Sequence, residues 1–470
     1  MKKIIFPGIL MCLFAVQCFP QKKQTKVVAS TIIPLVPEKW SFKEGKVEFT
    51  EYKGRRVMKL AQQSGQVVLR DLIFKDGTIE YDIEPILPEF AESVYFHRKD
   101  EKEQEIVYLR AAKMENPFSN DGIQYAPYFA GVNMWDMYPQ YQAPANAKSG
   151  EWNHIKLVIA GKQLRTIVNG KEVLAVPKLE GNEPEGSIAF EGSAYISNID
   201  IKPGATENLC PAEGVDLTKH EANYIRKWSV TQPVLLPTGA EPVSLLYFPK
   251  NESFTEKVDA ETAGLINLTR RFGGNEKRKV VWLKAIITAR DAIKTNLQLG
   301  FSDEIWVYLN NQITYVDKNI FAENMKKYPD GRISVQNGSV TLNLKQGKNE
   351  LLIAVANNFY GWGLIARLGS TEGISNMESY TPPATTAIGN ISQYIGTYTS
   401  KNGNMKLVVS QMNDDLVAQI GPLEPVRLTY TGNNIFKVER FSFDFELAFK
   451  PAEKKLLLKN GGSESEFFRE

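Results

Sequence analysis

Three carboxylates alternate along one short stretch, Glu80-Tyr81-Asp82-Ile83-Glu84. Successive side chains of a strand point to opposite faces, so Glu80, Asp82 and Glu84 share one face and Ile79, Tyr81 and Ile83 the other. Alternate residues on one face lie roughly 6.5 Å apart along the backbone. Two carboxyl groups drawn to about 5 Å can serve as nucleophile and acid/base at a glycosidic bond. The same alternation is the ordinary pattern of a half-buried strand with a polar outer face. Asp76-Gly77-Thr78 before it reads as an entry turn. The neighbouring sequence supplies no flanking aromatic except Tyr81, which points away.

A second concentration of chemistry is aromatic. Tyr125, Tyr128, Phe129, Trp135, Tyr138 and Tyr141 crowd one segment together with Asn133 and Asp136. Aromatic faces stack on the C–H faces of sugars, while amides and carboxylates fix hydroxyl groups. Interspersed prolines (Pro127, Pro139, Pro144) mark the segment as partly loop, where binding residues concentrate. The competing reading makes several of these rings core residues of a sheet. His97, Arg98, Arg110 and Gln124 end or enter neighbouring strands and are candidates to join this surface. Trp362 stands between Gly361 and Gly363, as either a loop-site ring or an indole packed against bare backbone. Asp303-Glu304 and Asp330-Gly331 are acidic turns of the kind calcium uses. Calcium wants six or more oxygens, which these pairs alone do not supply, so no metal site is assigned.

Several chemistries are excluded by what the chain lacks. It has three histidines, His97, His154 and His220, too few for a His-rich metal centre. No Gly-x-Ser-x-Gly, Ser-x-x-Lys, phosphate loop or dinucleotide fingerprint occurs, and His220-Glu221 lacks the second histidine of a zinc protease. No cofactor is implied. The net charge is +2, from 56 basic and 54 acidic residues, which leaves no nucleic-acid footprint. These absences favour binding over turnover.

The elements that must position these residues are strands. Glu151 to Ile159 reads as one, Ala160-Gly161-Lys162-Gln163 turns it, and Leu164 to Val168 returns to the Asn169-Gly170 hairpin turn. Many short strands without a long helical period predict sandwiches and barrels, an all-β chain. Gly150-Glu151-Trp152-Asn153, Val168-Asn169-Gly170-Lys171 and Ala194-Tyr195-Ile196-Ser197-Asn198-Ile199 resemble the concanavalin A-like sandwich family, which includes laminin-G-type domains and bacterial 3-keto-disaccharide hydrolase-like domains. The segment from Gly122 through Trp135 also resembles secreted bacterial members. The alternating carboxylates resemble the Glu-x-Asp-x-Glu signature of concanavalin-like retaining β-glycanases. That likeness implies Glu80 as nucleophile, Asp82 as its tuning neighbour and Glu84 as acid/base.

The first module is expected over residues 28–203. A connector over 204–227 follows, with a short helix opened by a Thr218-x-x-Glu221 capping box. Residues 228–368 resemble a galactose-binding-like jelly roll, on their strand order and the Asn310-Asn311 and Trp362 neighbourhoods. Residues 369–390, with Pro382-Pro383, read as a linker. Residues 391–470 read as a small closed β-barrel, and Gln393-Tyr394-Ile395-Gly396-Thr397-Tyr398 at its head resembles lipocalin-like barrels.

Met1-Lys2-Lys3 followed by the apolar Ile4–Val16 reads as an export signal over residues 1–21. Cys18 is where a lipid anchor would attach, the one membrane association expected. Cys210 is the one cysteine well inside the remaining chain, so no disulfide framework is expected. The combined expectation is an exported, periplasmic or extracellular, all-β protein that binds a carbohydrate or other cell-envelope ligand through its first module. The alternatives are a glycoside-acting hydrolase or lyase in that module, and a cell-envelope scaffold that binds other proteins. Nothing in the sequence fixes an oligomeric state.

Overall fold

The computed structural model describes residues 30–470 except 88–90, 245–246, 275, 322–323, 383–387 and 439–444. The expected export signal (1–21) and Cys18 lie outside the described residues. Among the described residues the chain is built of strands with one short α-helix, Leu268–Phe272, and a few 3-10 turns. No described helix is long and apolar enough to cross a membrane.

The chain divides into two compact units. One comprises residues 1–99, 105–125 and 142–214; the other comprises 100–104, 126–141 and 215–470.

The first unit is a β-sandwich. Its first sheet places the strand Gly77–Pro85 between Asn153–Ala160 and Ala194–Pro203, followed outward by Arg55–Leu60 and Val47–Tyr52. The expected alternation is present: Ile79, Tyr81 and Ile83 are buried, while Glu80 and Asp82 are half-buried on the opposite face. Tyr81 meets Phe190 of the second sheet edge-on, with centroids 5.0 Å apart, and Phe190 in turn meets Trp40 at 6.0 Å. Each such large apolar side chain contributes about 1.5–3 kcal/mol on burial, so the inward residues set the register that exposes the carboxylates.

The second unit contains a jelly-roll sandwich. Its larger sheet runs through Lys279–Ala289, Gly347–Ala356 and Glu304–Leu309; the smaller joins Leu265–Asn267, Gly363–Leu368, Ile293–Ser302 and Gly338–Leu344. Trp228, Leu283, Phe301, Ile353 and Trp362 lie in the core between them. The same unit holds a closed barrel of eight strands from Gly396–Ser400 to Ser463–Arg469, where Tyr398 pairs with Arg469 to close the ring. Tyr394, Phe436 and Phe449 fill its interior edge-to-face.

The helix expected after Thr218 does not form. Asp216 accepts hydrogen bonds from the Thr218 amide and hydroxyl, so the hydroxyl that would cap a helix is held in a tight turn. Further turns lead directly into the strand Lys227–Val230.

Candidate functional site

The outer face of the first sheet gathers the three carboxylates with cations and aromatic rings from four other segments. Strand register decides who meets whom. Asp82 stands opposite His154 on one side and Ser197 on the other; Glu84 stands opposite Tyr195, and Glu80 opposite Lys156 and Asp200. A bulge between Ser197 and Asp200, with Asn198 at a φ of 50°, turns the Asn198 side chain toward Asp82. The hairpin Tyr52-Lys53-Gly54-Arg55 is closed by Lys53 and Gly54 at φ of 48° and 72°, which lets both basic side chains reach the carboxylate row.

Asp82 is the hub. Its Oδ1 lies 2.8 Å from His154 Nδ1, and its Oδ2 accepts from Arg55 at 2.8 Å and from Asn198 Nδ2 at 2.7 Å. Glu84 accepts from the Lys53 ammonium on both oxygens, at 2.7 and 2.8 Å, and from the Tyr52 hydroxyl at 3.0 Å. Glu80 pairs with Lys202 at 2.9 Å and lies 3.6 Å from His154 Nε2. Donating to Glu84 holds the Lys53 ammonium above the ordinary lysine range, and donating to Glu80 does the same for Lys202.

The rings complete the face. Tyr52 and Tyr195 stack with centroids 3.7 Å apart, Tyr52 meets Trp152 edge-on at 6.3 Å, and the Arg55 guanidinium lies 5.0 Å over the Trp152 ring. Among the described residues Trp152 Nε1 has no hydrogen-bond acceptor. The carboxylates are recessed, with side chains 7–17% exposed, beneath His154, Arg55 and Lys53 at 40–46%. The result is a rigid polar floor with a reachable rim, suited to accept and donate hydrogen bonds to hydroxyl groups. Glu84, the acid/base by resemblance, has both oxygens engaged by an ammonium, so donating a proton there requires displacing Lys53.

The aromatic segment takes a different place. Tyr125 is fully buried. Its hydroxyl hydrogen-bonds Glu105, which also sits 3.0 Å from His97 Nδ1, while His97 Nε2 faces the Lys75 carbonyl at 2.7 Å. Acceptors on both nitrogens call for a doubly protonated ring. Burial alone would lower the His97 pKa, but Glu105 and the Lys75 carbonyl outweigh it and raise it. Arg110 is buried in a separate network, donating to the Asp121 carbonyl, Tyr108 and Gln124 at 2.7–2.9 Å. Tyr128 is half-buried, in register with Asn133.

Trp135, Asp136 and Tyr138 are interior residues of the second unit rather than a surface. Trp135 packs edge-on against Phe321 at 4.9 Å under Arg332. Asp136 accepts from the Gly361 amide, and its carbonyl accepts from Ile333 N at 2.9 Å. The Tyr138 hydroxyl meets Glu261, Asn267 and Arg270 at 2.8–3.2 Å. Trp362 is likewise core, donating Nε1–H to the Gly273 carbonyl at 2.9 Å. Large rings gain most when fully buried with their polar ends satisfied, which is what these positions provide.

The acidic turns considered for calcium are also engaged. Asp303 accepts from the Asn358 and Phe359 amides, Glu304 from Arg278 and Lys318, and Asp330 pairs with Lys326. Among the described residues no three His, Cys, Asp or Glu side chains converge as a metal site.

Residues 36–202 match the 3-keto-alpha-glucoside-1,2-lyase-like domain. The match spans the carboxylate strand, the Trp152 and His154 strand, and the Asn198 bulge. Comparison with curated proteins finds no match. Among solved structures the chain is similar to the carbohydrate-binding module CBM66 of Bacillus subtilis, at 14% identity over 34% of this chain and 93% of that one, with a TM-score of 0.24. It is similar to the Bacillus licheniformis β-glucanase at 10% identity over 38% and 99%, with a TM-score of 0.29. A Caenorhabditis elegans galectin is similar at 10% identity over 34% and 99%, with a TM-score of 0.22. The matched domain family is a carbohydrate-related one.

Sequence reasoning found the carboxylates and missed their partners. Lys53, Arg55, Tyr52, Trp152, His154, Tyr195 and Asn198 reach the site from other strands. In the sequence Trp152, Tyr195 and Asn198 stand out only as marks of the fold.

Proposed function

We propose that the chain binds carbohydrate on the outer face of its first sheet, with Asp82 as the central acceptor and Trp152, Tyr52 and Tyr195 as the apolar contact. The observation that carries this reading is the fixing of Asp82 by Arg55, His154 and Asn198 at 2.7–2.8 Å. A carboxylate held from three sides keeps its orientation when a hydroxyl arrives, which lowers the ordering cost of binding. The match of residues 36–202 to a glycoside-related domain supports the ligand class. Export is part of the proposal, on the strength of Lys2-Lys3 and the apolar Ile4–Val16.

A second reading is favoured by His154. Its Nδ1 is held by Asp82 while Nε2, 3.6 Å from Glu80, lies in a side chain 46% exposed. An imidazole oriented by a carboxylate is a competent general base. A 1,2-elimination from a 3-keto-glucoside removes the proton at C2, which the neighbouring ketone acidifies, and expels the substituent at C1. His154 would take that proton.

Affinity electrophoresis through polysaccharide gels, with polymer and 3-keto-glucosides assayed for turnover, tests both. Retardation with intact sugar, lost in Trp152→Ala and Asp82→Asn, is the expected result. Turnover abolished by His154→Gln selects the lyase reading. No retardation and no turnover on any saccharide removes both.

A further inference from the structure

The outer face of the first sheet is covered at one end by chain that none of the roles above uses. Residues 204–212 leave the strand Ala194–Pro203 and cross that face. Thr78 Oγ1 donates to the Ala205 carbonyl at 2.5 Å, the Arg165 guanidinium to the Glu207 carbonyl at 3.2 Å and the Gln163 amide to the Ala212 carbonyl at 2.6 Å, while Lys156 pairs with Glu207. Thr78, Lys156 and Val158 point outward with the carboxylates, in the register that sets Lys156 opposite Glu80 and Val158 opposite Thr78. Yet Thr78 and Val158 are fully buried. Outward residues lose all exposure only under a cover, and this segment is the cover. It turns at Glu207 and Asn208, with φ of 48° and 60°. Glutamate seldom adopts that left-handed region. Held there, its carboxylate meets Lys156, which itself lies 3.7 Å from Glu80.

The opposite end of the face carries a second wall. The hairpin 52–55 reaches over the strands Ala194–Pro203 and Gly77–Pro85 to the chain leading into Asn153–Ala160. There Lys53 donates to the Gly150 carbonyl at 3.3 Å, and Arg55 lies over Trp152. Between the walls the floor is Asp82 and Glu80. The slot is open at both sides, at His154 on one strand and at the exposed Asn198 on the other. Glu84 and Thr78, beneath the two walls, lie roughly 20 Å apart along the strand, and half a chain's thickness on each side leaves on the order of 10 Å. That admits one saccharide strand crossing above Asp82.

We propose that Glu207 is a specificity-determining residue: together with the hairpin 52–55 it restricts the slot to an unbranched saccharide strand. The inference rests on the carbohydrate reading above and adds the class of glycan. In a β-1,4-linked chain successive rings turn over, so branches on consecutive rings project to both sides and meet both walls. A steric wall rejects the wrong ligand without weakening the right one.

Titration calorimetry on the full chain tests this with matched pairs: cellotetraose against the xyloglucan heptasaccharide built on it, and mannotetraose against its galactosylated form. The linear member should bind at least about ten-fold more tightly than the branched one. Glu207→Gly removes the side chain at a position whose backbone glycine adopts freely. It should bring the branched member to within about three-fold of the linear one and change the linear affinity less than about two-fold. Glu207→Gln keeps the bulk without the charge and should retain the exclusion. Branched members binding the unaltered chain as tightly as linear ones would overturn the proposal and leave the carbohydrate reading standing. So would exclusion that persists in Glu207→Gly at an unchanged melting temperature, or that vanishes in Glu207→Gln. Binding of neither member of either pair would remove the carbohydrate reading for these glycans and this proposal with it.

Discussion

Asp82 carries three charge-assisted or amide hydrogen bonds, and its replacement separates recognition from folding. Asp82→Asn keeps the shape but removes the charge that holds Arg55 and His154. Glycan affinity should fall roughly ten-fold or more, read by titration calorimetry, because hydrogen bonds to charged groups contribute about twice as much as neutral ones. His97 is a different kind of residue: buried and doubly bonded, it serves stability. Its pKa is raised above 6.5 by Glu105 and the Lys75 carbonyl, against the lowering effect of burial. The folded state thus binds its proton more tightly than the unfolded chain. The associated stability is full below about pH 6.5 and is lost as pH rises through the folded value. Melting of the first unit should show this decline, and His97→Gln should start lower and lose the slope.

At the scale of elements, the strand Gly77–Pro85 was legible because the period of two is written locally: Ile79, Tyr81 and Ile83 against Glu80, Asp82 and Glu84. What closes on it was not, since the approach of Arg55, His154 and Asn198 depends on register and on one bulge. The segment 126–141 shows the opposite error. Its rings and prolines read as partly loop and as a candidate ligand surface, yet Trp135, Asp136 and Tyr138 are enclosed by Arg332, Gly361, Glu261 and Arg270, all much later in the chain. Local composition cannot reveal such distant cover. The same segment creates a pH-sensitive joint. Asp136 and Asp303 are both buried, and burial raises both: Asp303 to about 8, and Asp136 well above the usual carboxylate range, with the nearby Asp303 charge acting in the same direction. Arg332 faces Asp136, and Glu304 faces Asp303. For a carboxyl raised in the folded state, stability is full below the unfolded value of 3.8 and is lost as pH rises through about 8. The second unit should melt several degrees lower at pH 9 than at pH 6, and Asp303→Asn should remove much of that difference, read by scanning calorimetry.

At the scale of the whole molecule the charges nearly cancel, 56 basic against 54 acidic, and on the carboxylate face the balance is local as well. Glu80, Asp82 and Glu84 each have a cationic partner, so a ligand releases few counterions there. Glycan affinity should stay within about two-fold as NaCl rises across the range where exposed charges are screened. A steep fall would show that an unpaired charge drives binding.

The strand Ile123–Phe129 begins in one compact unit and ends in the other. This gives the molecule a grammar unlike that of beads on a string. A gene fragment cut after residue 214 would carry a stretch of Met134, Trp135, Met137 and Tyr138 whose natural enclosure is encoded downstream. On the ribosome, that stretch emerges well before the chain that must surround it. Recombination could not trade the first sandwich for another as a ready-made cassette, because part of what its neighbour needs is written inside it.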